Sequence, residues 1–218
     1  MDIPGQAAGV IVTYRVLARD ADGHETALPA EEIDPLRFEV LELSGEPILY
    51  VATRRTRELS VIDTGPNLEI ARIPTGESPL SVLLTPDERY LFVANSGTQA
   101  NGASNQVTVV ETATHRVAAA IDVGRAPLDL AISPDGKHLV SGDLYGSVRQ
   151  WSIGGWKPER ELDAKILHTR LDNFIADVGG VRSLAFNKDG KLLAVGGMKE
   201  AKSNAFCPGK PTVLIFDW

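Results

Sequence analysis

Apolar and polar residues alternate along most of this chain, and the alternation returns in blocks. Val82 and Leu84 fall on one face of a short segment, with Ser81, Leu83 and Thr85 on the other. The same division separates Leu130 and Ile132 from Asp129, Ala131 and Ser133, and Leu184 and Phe186 from Ser183, Ala185 and Asn187. A period of two predicts strands with one bulky face and one small or polar face. Each is followed by turn chemistry: Thr85-Pro-Asp-Glu88, Ser133-Pro-Asp-Gly136 and Asn187-Lys-Asp-Gly190. Pro presets φ, Asp bonds its own backbone and Gly takes the left-handed corner. In the next strand, Ala52, Ala94, Gly142 and Gly196 share one column, which predicts close approach of a neighbouring sheet. A third strand ends on Ile62-Asp63, Val110-Glu111, Trp151-Ser152 or Phe216-Asp217, an apolar residue to dock and a polar one to bond a turn. A fourth, less regular strand covers Leu68 to Ile73, Arg116 to Val123 and roughly Pro158 to Asp163.

With these strands lettered a to d, Pro134 follows Pro86 by 48 residues, Leu193 follows Leu139 by 54 and Leu91 follows Leu49 by 42. Such a period is the mark of a repeat architecture. The expected units are 35–75, 76–124, 125–163 and 178–218, with Leu36 to Leu43 as the first inner strand. Residues 1–34 form a separate N-terminal region: a strand over Gly9 to Ala18, a turn at Asp20-Ala-Asp-Gly23 and a linker from Leu28 to Pro35. It is either the end of an immunoglobulin-like module, whose hairpins it resembles, or a strand that closes the array. Asp20, Asp22 and Glu25 lack the ligand spacing of an EF-hand calcium loop.

Four-stranded units of this length, ending strand c on an apolar-acidic pair, fit the blades of an all-β propeller. Leu49-Tyr-Val-Ala, Ser60-Val-Ile-Asp-Thr64 and Leu91-Phe-Val-Ala-Asn-Ser96 resemble the bacterial YVTN family across units one to three. Val181-Arg-Ser-Leu-Ala-Phe and Leu214-Ile-Phe-Asp-Trp218 resemble WD40 repeats, as does Ser147-Val-Arg-Gln-Trp-Ser152. The likeness covers about residues 36–218. It implies a β-propeller of four-stranded antiparallel blades, about four of them here, either as part of a larger ring or closed by the strand at Val10 to Ala18. It does not imply one activity, because these families include scaffolds as well as enzymes.

Composition narrows the partners. A formal charge of −7 in 218 residues gives no sign of nucleic-acid binding. No apolar run is long enough for a membrane span, and the start, Met1-Asp-Ile-Pro-Gly, lacks signal-peptide character. A periplasmic or cell-surface setting is expected only if the chain belongs to a longer secreted protein. One cysteine, Cys207, excludes an intrachain disulfide and a Cys-rich zinc site. No phosphate loop, nucleophile elbow or haem-attachment motif occurs, and no cofactor or metal is expected.

The b-to-c connections vary in length while the a-to-b turns stay tight. The excess falls in Gly97 to Asn105 and Met198 to Lys210, with a further long d-to-a segment at Ala164 to Gly180. In a propeller these three share one face, where function concentrates. The reading is a non-enzymatic binding or scaffold module that presents this face to a protein or peptide partner. The candidate contacts are His168, Arg170, Phe174, Ile175, Lys199 and Phe206, while Ser81, Asp129 and Ser183 should line the central channel. His168 with Asp172 or Asp177 has no metal or acid-base spacing motif. Propellers resembling this one include lactonases and haem or quinone enzymes, for which Asp129 and Arg182 would matter. A third reading is a structural repeat of a cell-surface protein. Trp151, Trp156 and Trp218 are expected to pack between sheets or over loops, and His115 and His138 to be exposed strand-end residues.

Overall fold

The computed structural model describes residues 11–14, 16–19, 25–28, 36–39, 45–98, 102–172, 176–202 and 209–218. Two units are distinguished, Met1–Pro47 with Asp63–Pro66, and Ile48–Ile62 with Asn67–Trp218. In the first, β1 (Ile11–Tyr14) pairs antiparallel with β4 (Leu36–Glu39), and β2 (Val16–Arg19) with β3 (Glu25–Leu28). The expected inner strand at Leu36 is therefore present as β4, but its partner is β1. Residues 40–43 of that expected strand lie outside the described residues.

The first blade is the three-stranded sheet β5 (Ile48–Thr53), β6 (Glu58–Asp63) and β7 (Leu68–Pro74). The second has all four strands: β8 (Pro79–Leu84), β9 (Tyr90–Thr98), β10 (Gly102–Glu111) and β11 (Arg116–Asp122). So does the third, with β12 (Pro127–Ile132), β13 (His138–Asp143), β14 (Ser147–Ser152) and β15 (Pro158–Asp163). A short 3-10 turn at Lys165–Leu167 leads to a separate hairpin, β16 (His168–Leu171) and β17 (Ala176–Gly179). The fourth blade is β18 (Val181–Phe186), β19 (Leu192–Lys199) and β20 (Lys210–Asp217). Repeated antiparallel sheets of this kind make the fold an all-β propeller.

The hydrophobic core lies in layers between successive blades. Leu59, Val61 and Ile73 meet Leu91, Val93 and Val110; Phe92, Val107 and Val109 meet Leu130, Leu139 and Trp151; Ala131, Val140 and Val148 meet Val181, Leu184 and Leu193. Alternation thus serves both sides of each blade: Phe92 and Val93, consecutive in β9, are both fully buried in different layers. Each Val or Leu so buried contributes roughly 1.5–3 kcal/mol.

The small-residue column has two causes. At Gly142 a Cβ would strike the Val181 side chain of the next blade, as expected from close sheet approach. At Gly196 it would strike Ser183, the cross-strand partner within the same sheet. The polar member of the strand-c pair does bond a turn: Asp63 Oδ1 accepts the Gly65 N–H at 3.0 Å, and Glu111 Oε2 accepts the Thr114 hydroxyl at 2.9 Å. Trp151 is buried and donates from Nε1 to Ser141 Oγ at 3.1 Å. Trp156 packs edge-on to Tyr90 and Phe92, and Trp218 edge-on to Phe186. His115 and His138, expected to be exposed, are half-buried: His115 approaches the Tyr50 hydroxyl of the first blade and His138 the Glu159 carboxylate. Packing against an adjacent blade or strand covers rings that local sequence places at strand ends.

Candidate functional site

Up-and-down strands put the b-to-c and d-to-a connections at one end of every blade, and backbone hydrogen bonds stitch them into a continuous rim. Ser96 N–H donates to Ser78 O, Ala126 N–H to Ser104 O, Leu144 N–H to Ala126 O and Ala164 N–H to Gly146 O. Each of these bonds joins a connection inside a blade to one between blades.

Among the described residues, strands run into each enlarged segment. β9 and β10 run on to Thr98 and from Gly102, and β19 and β20 to Lys199 and from Lys210. Residues 164–180, expected as a long loop, hold the β16–β17 hairpin. Within it Thr169 and Val178 pair across the strands. Two glycines seat the hairpin. Gly179 has φ +83 and Gly180 φ +80, and a Cβ at either would collide with backbone, at Leu167 O or at Leu144 O. Only glycine accepts both the backbone conformation and the approach.

On this mount His168, Arg170 and Asp177 come together with Tyr145, which tips the short b-to-c turn of the third blade. Asp177 is the hub. His168 Nε2 lies 2.9 Å from its Oδ1, while Arg170 Nη1 at 2.8 Å and the Tyr145 hydroxyl at 3.1 Å donate to Oδ2. Burial raises the Asp177 carboxyl, but the bonds from His168 and Tyr145 and the charge of Arg170 outweigh it and hold the group below its ordinary value. The Tyr145 phenol is pushed up by burial and by the neighbouring Asp177 carboxylate. The Tyr145 and His168 rings sit 5.1 Å apart, and the Arg125 guanidinium lies 5.4 Å from the Tyr145 ring centre.

Asp143, at the base of the same turn, is buried and accepts the N–H groups of Tyr145 at 2.9 Å and Ser147 at 2.8 Å. Burial raises its carboxyl in spite of those bonds. It fixes the turn that presents Tyr145.

Lys199 ends β19, half-buried and paired across the sheet with Lys210. Phe174, Ile175 and Phe206 lie outside the described residues. Of the proposed channel residues, Ser81 donates to Asp129 Oδ1 at 3.3 Å, and Asp129 Oδ2 accepts the Leu184 N–H at 2.8 Å. Asp129 thus ties the inner strands of three blades together, with both carboxylate oxygens engaged. Ser183 sits in β18 opposite Gly196. Tyr145 and Arg125 were not singled out by sequence. The available signal was an aromatic at the tip of the tightest b-to-c turn, Asp143-Leu-Tyr-Gly146.

Among the described residues no group of three His, Cys, Asp or Glu could hold a metal ion, and no helix is long and apolar enough to cross a membrane. Clefts of about 340 Å³ beside Trp151 and Arg160 and about 240 Å³ between Lys202 and Lys210 are lined mainly by charged side chains.

Residues 124–152 and 169–199 match the WD40 family, described as WD domain, G-beta repeat. These two stretches are similar to WD40 repeats. The WD40 match takes in the third unit from Gly124, beyond the Ser147–Ser152 stretch that suggested it, and the β16–β17 hairpin enters the next repeat. No curated protein matches the chain in sequence. Among solved structures, Kuenenia stuttgartiensis hydrazine synthase is similar, with TM-score 0.64 and 22% identity over 88% of this chain and 56% of that one. The chain therefore spans little more than half the length of that structure. Identity at this level shows the fold alone, and 1105 solved chains match, so the likeness specifies architecture and not activity.

Proposed function

We propose that this chain is a non-enzymatic β-propeller module that binds a protein or peptide partner on the rim of b-to-c and d-to-a connections. The observation that carries the reading is the seating of β16–β17 by Gly179 and Gly180, which fixes His168, Arg170 and Asp177 against Tyr145. A rigid, preorganised polar-aromatic patch on a strand scaffold binds without a large ordering cost. Tyr and Arg are also the residues most enriched at energetic centres of interfaces. The WD40 repeats support a binding or scaffold role in general, and the partner-facing rim is the finer claim.

The test compares proteins captured by the full chain, by a Tyr145→Ala/Arg170→Ala double variant, and by an Asp135→Ala/Lys137→Ala control on the opposite rim. Partners retained by the unaltered chain and the control but lost from the double variant support the reading. An identical set on all three contradicts it.

A further inference from the structure

We propose that the partner segment recognised on this rim is acidic, an inference that rests on the binding reading above and names its chemistry. Charge is partitioned along the chain. Residues 1–47 hold ten acidic and three basic side chains, so the −7 of the whole chain resides there and residues 48–218 are neutral. Within that neutral part, the rim of the third and fourth blades carries Arg125, Lys165, Arg170, Lys199, Lys202 and Lys210 against Asp143, Asp163, Asp172, Asp177 and Glu200.

Those acids are already engaged. Asp143 accepts the N–H groups of Tyr145 and Ser147, Asp163 accepts the Lys165 N–H at 2.8 Å, Asp177 is held by His168 and Arg170, Glu200 by Lys210 at 2.8 Å, and the exposed Asp172 lies 4.0 Å from Arg170. Among the described residues, Arg125, Lys165, Lys199 and Lys202 take part in no ion pair, and Arg125, Lys165 and Lys202 are exposed. Arg125 is also oriented by the Tyr145 ring, and Tyr145 is pinned through its hydroxyl to Asp177. A planar guanidinium held by an aromatic face offers parallel N–H donors that match a carboxylate. Lysines nearby add steering without demanding geometry. The interspersed acids break the patch into short positive stretches, which suits separated carboxylates on a peptide better than a continuous run of nucleic-acid phosphates.

The experiment selects a displayed random peptide library on the full chain, with a mixed single-stranded oligonucleotide pool offered in parallel. Retained peptides are then titrated by fluorescence anisotropy at low and high salt. The expected result is enrichment of Asp and Glu, binding that weakens as salt rises, and an affinity loss of about tenfold in Arg125→Glu, the scale of one charge-assisted hydrogen bond. Lys202→Glu should reduce affinity in the same direction. Both positions are exposed, so the variants keep the fold, checked by unchanged thermal unfolding. Neutral or basic peptides that still lose affinity in Tyr145→Ala would overturn the acidic class and leave the binding rim standing. Peptides indifferent to every rim variant would overturn both. Retention of the oligonucleotide pool alone, or of nothing, would overturn the proposal.

Discussion

The two rims of the blades are built from the same kind of strand and obey different rules. On the a-to-b rim the second, third and fourth blades repeat one set of bonds. Thr85 Oγ1, Ser133 Oγ and Asn187 Oδ1 each accept the N–H five residues on, all at 3.0 Å. Asp87, Asp135 and Asp189 each accept the N–H two residues on, and a residue with φ of 58, 71 or 71 closes the turn at Glu88, Gly136 or Gly190. The c-to-d connection then donates to the turn in every case, from Thr112 to Arg89 O, Ile153 to Lys137 O and Trp218 to Lys191 O. On the opposite rim the d-to-a connections 75–78 and 123–126 repeat one form, with positive φ at Ser78 and Ala126, but the others differ: a four-residue turn at 54–57, a lengthened hairpin in the second blade, three residues at 144–146 and an inserted hairpin before the fourth. Uniform bonding marks the rim that holds the blades. Variation marks the rim on which a partner is proposed to bind.

The comparison can be broken most forcefully at glycine. Gly180→Ala places a Cβ against the backbone of Leu144 at a positive φ, and should cost about 3 kcal/mol or more through strain and collision. Gly136→Ala on the other rim has the same sign of φ but nothing nearer than Pro86 at 3.8 Å, and should cost about 1 kcal/mol. Urea unfolding midpoints of the two variants check the ratio; equal losses would mean that the hairpin is not seated as described.

A smaller effect sharpens the uniform rim. Ser133→Ala and Asn187→Ala each remove the same side-chain acceptor, and each should cost about 1 kcal/mol, agreeing within a few tenths. Chemical denaturation of the pair measures this, and costs that differ severalfold would end the claim of equivalence.

Two carboxylates below the variable rim give opposite pH signatures. Asp177 has a lowered value in the folded protein, so its stabilising contribution is full above the ordinary carboxylate range and is lost as pH falls through the folded value. Asp177→Asn should therefore flatten the acid limb of a stability–pH curve below about pH 4. Asp143 has a raised value, so its charge costs stability above the ordinary range, and the cost is relieved as pH falls through the raised value. Asp143→Asn keeps an acceptor for Tyr145 and Ser147 while removing the charge. It should change stability at neutral pH by less than about 1 kcal/mol, towards stabilisation, with the difference vanishing in acid. Asn95, which occupies the equivalent place in β9 and donates to Thr108 Oγ1 at 2.9 Å, is the same replacement already made in the second blade.

Sequence reads the holding rim well, because its physics is local. Pro134-Asp135-Gly136 contains the whole turn, and the strand alternation around it names the core layers from Phe92 to Leu193. The small-residue column was legible at Gly142, where the neighbour is another blade. At Gly196 the same pattern has a different cause, Ser183 within the sheet. The candidate site was half legible. Loop length pointed to His168, Arg170 and Asp177, but Tyr145 and Arg125 reach that cluster from two other connections, and their nearness is a product of three-dimensional stacking. The β16–β17 hairpin escaped because its strands are short and polar, and its order comes from glycines docked on Leu167 and Leu144. The inner strand expected at Leu36 had the right conformation and a different partner, since pairing is chosen by tertiary context.

The most direct test installs a photoreactive side chain in place of Lys202 on the variable rim and, separately, in place of Lys137 on the uniform rim. Illumination in the native extract, followed by identification of cross-linked proteins, reads which rim is occupied. Discrete adducts from position 202, absent from position 137 and reduced by Arg125→Glu, are the predicted result. Adducts of equal yield from both positions, or from position 137 alone, would contradict it.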